Sequence, residues 1–281
     1  WTNPAIWEVS SDGVNWSAAV SFPTSADGII TISTGDSVTL TGAGSNISID
    51  QVVIEDGGTL AIFSTDAPGV TINDGAGDDI VINGRLYIAL STTVSGPGSI
   101  LVNAGGLFTL RNGGVIVGVP ITNNGDAHIG PNNNNTLTSL TFTNNGVTDW
   151  LNGSFALSTG ASFVNNGTFN SRVTAGANWN ITGSGSFVNN GSFIKTSNLA
   201  GQLFNPSLTN TGTIGGIGNI NFPTVTSNTG ILSPGESPGI FNVSPSMITG
   251  QSPTIAIELA TTGAVAGTNY DRLDVSNSVN I

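Results

Sequence analysis

The feature that most constrains this chain is a short motif, Asn-Asn-Gly or Asn-Thr-Gly, that recurs at nearly constant spacing. Its six copies begin at Asn123, Asn144, Asn165, Asn189, Asn210 and Asn228. Successive starting positions therefore differ by 21, 21, 24, 21 and 18. Two copies lie in nearly identical octapeptides, 162–169 and 186–193. Self-similarity at such a period is typical of repeat proteins in which each unit packs on the next.

The motif lies between short runs of Val, Ile, Phe and Thr, which favour β-strands. Asn and Gly adopt a positive φ at little steric cost, so we expect the motif glycines, Gly167 among them, to form corners that require positive φ. An isolated Asn-Gly is also compatible with a two-residue antiparallel hairpin. The constant period favours the other fold class, an all-β solenoid: a right-handed parallel β-helix with coils of about 21 residues.

Stacked coils place equivalent residues about 4.8 Å apart. We therefore predict amide ladders between equivalent Asn side chains, and a stack of Phe142, Phe163 and Phe187 inside the coil. Dividing 281 residues by the repeat period predicts about 13 coils, which corresponds to a rod about 60 Å long.

Composition supports strands over helices and disfavours several function classes. Only 8% of residues are charged, and the polar surface consists mainly of Gly, Asn, Thr and Ser, which are poor or mediocre helix formers. Hydrophobic residues reach 38%, which favours order over disorder. The net charge of −12 argues against nucleic acid and anionic lipid as partners, and no apolar run is long enough to predict membrane insertion. The sequence contains no cysteine, which excludes disulfides and thiolate sites.

We divide the chain into an N-terminal cap, 1–28, and a β-helix solenoid, 29–281. The repeat is clearest over 121–232, and the C-terminal coils over 233–281 are expected to continue beyond the chain. Strands are predicted at 255–259 and 273–275, and further corners at Gly57, Gly84, Gly105 and Gly113.

Three tryptophans, Trp1, Trp7 and Trp16, lie within the predicted cap. The first coil of a solenoid exposes strand edges and core residues, so we expect these side chains to cover it. A tryptophan platform for a sugar is the alternative.

Two segments resemble known families. The Pro-Gly-Glu-Ser-Pro-Gly sequence at 234–239 is similar to the PGxSPG segment of autotransporter passengers and related adhesin repeats, where it precedes a YDxLxV strand, matched here by 270–275. The opening 1–60, with Ser-Thr-Gly-Asp-Ser-Val-Thr-Leu at 33–40, resembles the beginnings of β-helical repeat regions in large secreted proteins of Bacteroidetes-type bacteria. The resemblance covers most of the chain. It implies a right-handed parallel β-helix, exported to the cell surface as an adhesin, stalk or filament component.

Carboxylates and bases show no enzyme-like pattern. Glu55-Asp56 and Asp78-Asp79 are adjacent pairs, and neighbours in a strand point to opposite faces, so adjacency does not make an acid–base dyad. Pairing of Asp56 with Asp78 or Asp79 across coils stays open. The basic residues are scattered along the sequence at Arg85, Arg111, Arg172, Lys195 and Arg272.

The one histidine, His128, excludes a cluster or relay of several histidines, and we interpret it as a surface residue beside a corner. The segment Asp74–Asp79 contains a single Gly-x-Gly-x-Asp unit, which resembles part of a calcium-binding repeat. Such sites need consecutive copies, so an acidic turn is favoured and calcium stays an open alternative. We predict no enzyme activity, no cofactor, and no catalytic, cofactor-binding or metal-ligating residue.

The sequence favours a secreted, cell-surface structural or adhesive protein that associates with itself end to end or continues into a longer surface protein. A glycan or another surface molecule would be the ligand of such an adhesin. A carbohydrate-binding or carbohydrate-cleaving β-helix is the first alternative. Ice binding is the second, because Thr136, Thr138, Thr141 and Thr143 could form a flat Thr-rich face, although no Thr pair repeats in every coil.

Overall fold

The structure, a computed structural model, describes residues 1–41, 47–63, 69–130, 134–174, 179–197, 202–235 and 238–276. It confirms the predicted fold class: an all-β solenoid of parallel strands with about 21 residues per turn. The helices among the described residues are two single 3-10 turns, Pro4–Ile6 and Pro245–Met247. None of the described helices is long and apolar enough to cross a membrane.

Three long parallel sheets and a short fourth one form the walls of the solenoid, and a small antiparallel hairpin precedes them. Sheet I has ten strands: Ile30–Ile32, Val52–Ile54, Ile80–Ile82, Ile100–Val102, Ile121–Asn123, Thr141–Asn144, Ser162–Asn165, Ser186–Asn189, Ser207–Asn210 and Val225–Asn228. Sheet II has eleven: Ser37–Leu40, Thr59–Phe63, Arg85–Ala89, Leu107–Leu110, Asp126–Ile129, Val147–Trp150, Thr168–Ser171, Ser192–Lys195, Thr213–Gly216, Ile231–Pro234 and Thr254–Ile255. Sheet III has seven: Ile47–Ile49, Val70–Ile72, Thr93–Ser95, Val115–Val117, Asn135–Thr138, Phe155–Leu157 and Ile181–Thr182. Sheet IV has four: Gln202–Leu203, Gly218–Asn221, Ile240–Val243 and Arg272–Val275. The hairpin pairs Glu8–Val9 with Ser17–Ala18.

The core lies inside the coils, where alternate residues of each strand point inward. Equivalent residues stack in register, so that Phe142 pairs with Phe163 and Phe163 with Phe187. Their ring centroids are 4.7 and 5.0 Å apart and the rings are nearly parallel, at 8° and 2°. The predicted phenylalanine stack is therefore confirmed.

The Asn-rich motifs form the corners between sheets I and II and carry two amide ladders. The inner ladder joins the first Asn of each motif: Nδ2 of each residue donates to Oδ1 of its equivalent in the next coil, at 2.7–2.8 Å, through Asn123, Asn144, Asn165, Asn189, Asn210 and Asn228. These six side chains are fully buried. The outer ladder joins the second Asn of the motifs, and its donors point the other way, from each coil to the preceding one: Asn145 to Asn124, Asn166 to Asn145 and Asn190 to Asn166. The predicted ladders are confirmed.

The expected positive φ at the motif glycines is wrong. None of them, from Gly125 to Gly230, is among the described glycines with positive φ. Glycine is required there for another reason, because successive corners lie directly on one another. A Cβ on Gly167 would be 2.1 Å from the carbonyl oxygen of Gly146, and a Cβ on Gly191 would be equally close to that of Gly167. Positive φ is found instead at other corners, including Gly57, Gly105 and Gly113.

The prediction of about 13 coils is also wrong, since the solenoid has about 10 turns. Residues at both ends of the chain do not form complete coils. The N-terminal hairpin lies outside the parallel sheets, and the strand predicted at 255–259 is limited to Thr254–Ile255. The predicted strand at 273–275 is confirmed within Arg272–Val275.

The predicted tryptophan cluster forms only in part. Trp1 is buried, its Nε1 donates to the carbonyl of Pro23, and its ring meets that of Trp7 edge-on with centroids 5.1 Å apart. Trp1 belongs to the same buried cluster as Ile30 and Val38 of the first coil. Trp16, by contrast, is 56% exposed. The three side chains do not form one sugar platform.

Candidate functional site

The outer face of sheet II carries a group of charged, amide and aromatic side chains from successive coils. One outward row runs across consecutive coils in strict register, with each residue paired to the next: Tyr87, Thr109, His128, Asp149 and Asn170. Arg85, Arg111 and Arg172 belong to the same strands or directly follow them. We call this surface the polar face.

Two neighbouring side chains hold the carboxylate of Asp149 in place on the polar face. Its Oδ1 accepts a hydrogen bond from Asn170 Nδ2 at 2.8 Å and an ion-paired one from Arg172 Nε, also at 2.8 Å. No hydrogen bond from the described residues ends on its Oδ2. The Asp149 side chain is 16% exposed and that of Arg172 is 51% exposed. The pair therefore presents a carboxylate oxygen and the terminal guanidinium nitrogens, an acceptor beside two donors.

A shallow cleft opens beside this pair. Asp126, His128, Asp149 and Arg172 line it, with Ala127 and Val147 at its base, and it encloses about 190 Å³. Because Asp126 and His128 are two residues apart in one strand, both side chains lie on the same face. His128 is thus an outward residue, as predicted, but it belongs to a charged cleft. A volume below the roughly 300–1,000 Å³ of pockets that enclose small molecules suits a ligand that lies along the surface.

An aromatic patch adjoins the cleft on the N-terminal side. The guanidinium carbon of Arg111 lies 5.4 Å from the centroid of the Tyr87 ring and 6.0 Å from that of Phe63. Thr109, between Tyr87 and His128 in the row, is only 5% exposed. Its Oγ1 and the Arg111 Nε are buried and have no hydrogen-bond partner among the described residues. Two unsatisfied polar atoms therefore lie on this face, where each costs stability.

Basic residues that are far apart in the sequence share one face of the solenoid. Arg85, Arg111 and Arg172, three of the five basic residues in the chain, come together on the polar face. Sequence reasoning missed this site although a signal existed: His128, Asp149 and Asn170 follow one another at the period of the repeat.

A carboxyl pair that the sequence did not predict joins two coils near the N-terminus. Glu55, Asp56 and Asp78 are exposed, whereas Asp79 is 2% exposed and hydrogen-bonded to Asp50. Burial and the neighbouring Asp79 raise the pKa of Asp50 above its ordinary value. Burial also pushes the pKa of Asp79 upward, but hydrogen bonds from Gly75 and Ser99 outweigh it and leave that pKa below its ordinary value. When the pair binds a single proton, Asp50 is therefore the member that holds it.

The segment considered for calcium does not assemble a set of ligands. Asp74 and Asp78 are exposed, while Asp79 turns inward. Among the described residues, no three His, Cys, Asp or Glu side chains lie close enough to hold a metal ion.

Lys195 is a buried cation within the core. Its side chain is fully buried, and Nζ donates to the carbonyl oxygen and, at 3.2 Å, to Oγ of Ser197. Burial lowers the pKa of Lys195 to about 8. Ser171, its register partner in the preceding coil, donates to Gln202 Oε1. This cluster is closed to solvent, so we interpret it as part of the core.

The two motifs of the C-terminal resemblance, the PGxSPG segment and the YDxLxV strand, contact each other. Asp271, which is 5% exposed, accepts hydrogen bonds from the backbone nitrogens of Gly239 and Glu258. Gly235 has a φ of 105°, and a Cβ there would lie 2.5 Å from Asp271 Oδ1. The YDxLxV aspartate thus anchors the PGxSPG glycines.

The threonines considered for ice binding do not form one repeated face. Thr136 and Thr138 belong to sheet III, whereas Thr141 and Thr143 belong to sheet I. Their neighbours in register include Val115, Ala156 and Val164.

Comparisons with known proteins return no relative. No protein-family model matches the sequence, no curated protein is significantly similar to it, and no solved structure matches it significantly. What is established is therefore the β-solenoid itself.

Proposed function

We propose that this chain is a non-enzymatic, extracellular structural or adhesive protein, a rod of stacked β-coils that serves as a stalk or filament subunit at a bacterial cell surface. The motif resemblance to autotransporter passengers and Bacteroidetes-type surface proteins supports the location. The exposed core at the C-terminal end of the solenoid carries the structural part of the proposal.

One inward row of sheet II shows that the C-terminal end is open. Ile214 and Leu232 are fully buried in this row, and Ile255, paired with Leu232, is 46% exposed. Ile257, two residues further along, is also 46% exposed. Thr254–Ile255 is the last strand of sheet II among the described residues, and none of those residues pairs with its outer edge, which could accept a further strand.

The opposite end of the solenoid is closed. Ile30 and Val38 of the first coil are 4% and 7% exposed, and Trp1 packs against them. Apart from Ile29, the large apolar side chains exposed at this end belong to the preceding segment and include Val14, Trp16 and Val20. The two ends therefore differ, and a contact between them would be head-to-tail.

A second copy of the chain is the occupant that these ends favour. Of the large hydrophobic residues exposed in the described part of the chain, only two lie between the end segments, Leu90 and Ile231. The others lie at the ends: Ile6, Val9, Val14, Trp16, Val20, Ile29, Ile255, Ile257, Leu259 and Val265. A head-to-tail contact gives a ring if it closes and an open filament if it does not; because this contact joins opposite ends of the stack of coils, repeating it extends the stack into a filament.

Electron microscopy and analytical ultracentrifugation of the purified chain test the proposal. We expect rods that lengthen with protein concentration, and we expect Ile255→Asp to abolish the lengthening. Leu90→Asp is the matched control, because Leu90 is similarly exposed, at 41%, but lies at a lateral turn. A chain that stays monomeric at every concentration, or assembly that survives Ile255→Asp, would contradict the proposal.

A carbohydrate-binding or carbohydrate-cleaving β-helix is the second candidate. The charged cleft and aromatic patch of the polar face favour it, since sugar ligands use both polar hydrogen bonds and ring contacts.

A further inference from the structure

We propose that the polar face of sheet II is a binding site for a neutral oligosaccharide that lies along the solenoid axis. This inference rests on the adhesive part of the proposed function and names the class of ligand. It depends on three features of the face: a fixed acceptor–donor pair, an aromatic patch and their spacing.

The acceptor–donor pair is Asp149 with Arg172. Asn170 and Arg172 both bind Oδ1 of Asp149, which fixes the carboxylate and leaves Oδ2 to accept from a hydroxyl. The terminal nitrogens of Arg172 donate to a neighbouring hydroxyl. Adjacent hydroxyls on a pyranose ring match an acceptor and a donor held side by side. Asp126 and His128 extend the same cleft with further acceptor and donor groups.

The aromatic patch is the half-buried Tyr87 with Arg111 over its ring. Arg111 packs against Tyr87 and Phe63 and holds the Tyr87 ring in place, and the apolar side of a sugar ring can pack on the exposed part of Tyr87 that Arg111 leaves uncovered. Two buried polar atoms on this face have no partner among the described residues: Thr109 Oγ1, between Tyr87 and His128 in the row, and Arg111 Nε, within the patch. Native proteins retain few such atoms, and ligand hydroxyls that reached them would satisfy them.

The spacing sets the length of the ligand. Tyr87 and Asp149 are three strands apart in register, which is about 14 Å at the strand spacing of a sheet. A ligand that reaches both features therefore has about three sugar units. The cleft holds two carboxylates, Asp126 and Asp149, and the whole polar face sets three arginines, one of them ion-paired with Asp149, against them, so its charges nearly balance. This balance favours neutral sugars over those that carry carboxylates or sulfates.

An array of neutral and uronic-acid-bearing oligosaccharides, followed by titration calorimetry with the best neutral trisaccharide, tests the proposal on the full chain. We expect binding of neutral chains of three or more units and no release of reducing ends. Asp149→Asn and Tyr87→Ala should each weaken binding at least tenfold. Ser192→Ala, on the same face two coils beyond Val147, should leave binding unchanged.

Three results would overturn the proposal: no neutral glycan retained, binding only to uronic-acid-bearing glycans, or equal affinity in the Asp149→Asn and Tyr87→Ala variants and the unmutated chain. His128→Ala provides a further test if either variant fails to fold, and it should also weaken binding. End-to-end assembly does not use this face, so microscopy of the same preparation separates a failure of the sugar site from a failure of the rod proposal.

Discussion

Asn144 donates a hydrogen bond from Nδ2 to Oδ1 of Asn165 across 2.8 Å, and both side chains are completely buried. Most buried amides in native proteins have their donors and acceptors paired. The ladder pairs each amide with its equivalents in neighbouring coils. The coils are therefore joined by side chains as well as by the backbone.

Asn165→Ala should interrupt the inner ladder. The Oδ1 of Asn189, which accepts from Asn165, would lose its partner, and Asn144 would lose one of its acceptors. We expect the free energy of unfolding to fall by about 2–4 kcal/mol, since each buried group left unpaired costs about 1–3 kcal/mol. Urea denaturation followed by the fluorescence of the tryptophans, including buried Trp150, measures the change. Asn166→Ala removes an exposed ladder residue and should cost less than about 1 kcal/mol; equal losses in the two variants would refute a special role of the buried amide.

Glycine is required at some corners by a positive φ and at others by the close approach of a carbonyl oxygen. Gly105→Asn and Gly167→Asn distinguish these two causes. Asn tolerates the left-handed region, so Gly105, with a φ of 89° and no atom within 4 Å of a Cβ, should accept Asn at a cost of less than about 1 kcal/mol. Gly167 does not have positive φ, and any side chain there meets the Gly146 carbonyl. We expect a loss of about 2–3 kcal/mol or more. The same denaturation assay decides, and a well-tolerated Gly167→Asn would show that the corners can separate.

Asp50→Asn should make stability less sensitive to pH. The raised pKa of Asp50 means that the native state holds this proton more tightly than the unfolded chain does. Its contribution to stability is therefore present at acidic pH and is lost as pH rises through the raised pKa. An amide keeps a donor for Asp79 at every pH. We expect Tm to match wild type at pH 4 and to exceed it at pH 7.5.

Asp78→Asn is the matched control for this change, because Asp78 is exposed next to Asp79 and its loss alters the net charge equally. If Asp78→Asn raises Tm at pH 7.5 as much as Asp50→Asn does, the effect comes from general charge repulsion.

Lys195 should give the protein a rise in stability under alkaline conditions. Its pKa falls from 10.5 to about 8 on folding, so the unfolded chain binds the proton more tightly. Stability from this group is reduced below pH 8 and recovers as pH rises from about 8 to 10.5. Calorimetry should show that Lys195→Met has a higher Tm than wild type at pH 7. The Tm of this variant should not rise between pH 8 and pH 10.5, as that of wild type should.

Lys195→Arg provides the comparison, since guanidinium stays charged throughout this range. It should be less stable than wild type, most clearly at pH 10. A Lys195→Met protein that melts below wild type at pH 7 would show that the bonds to Ser197 outweigh the cost of burying the charge.

The repeat period allowed much of the fold to be predicted. Residues one period apart occupy the same position in successive coils, so identical residues at Phe142 and Phe163, or at Asn144 and Asn165, had to meet. His128 and Asp149 are also one period apart and lie side by side, but because the two residues are unlike, the repeat does not draw attention to them. The polar face was therefore accessible from the sequence but was missed.

Other contacts could not be derived from the period. Asp50 and Asp79 are separated by clearly more than one period. They lie in a part of the chain where the equivalent positions Ile32, Ile54 and Ile82 are unevenly spaced, the second step being longer than the first. Because the corners in this region differ in length, the strand register cannot be read from the sequence. Similarly, a glycine at position 167 indicates that a side chain is not tolerated there. The sequence does not reveal whether the cause is a positive φ or the approach of a carbonyl oxygen.

The two amide ladders also have an electrical consequence. Each side-chain amide carries a dipole, and in the inner row the donors all point toward the C-terminal end of the solenoid, as in Asn123 to Asn144. In the outer row they point toward the N-terminal end, as in Asn145 to Asn124. Aligned dipoles in a single row would add up with length, as they do in a helix. Among the described residues, the inner row has five such bonds and the outer row three, so the opposed rows offset one another in part, and extending the stack builds up less partial charge at its two ends than a single row would.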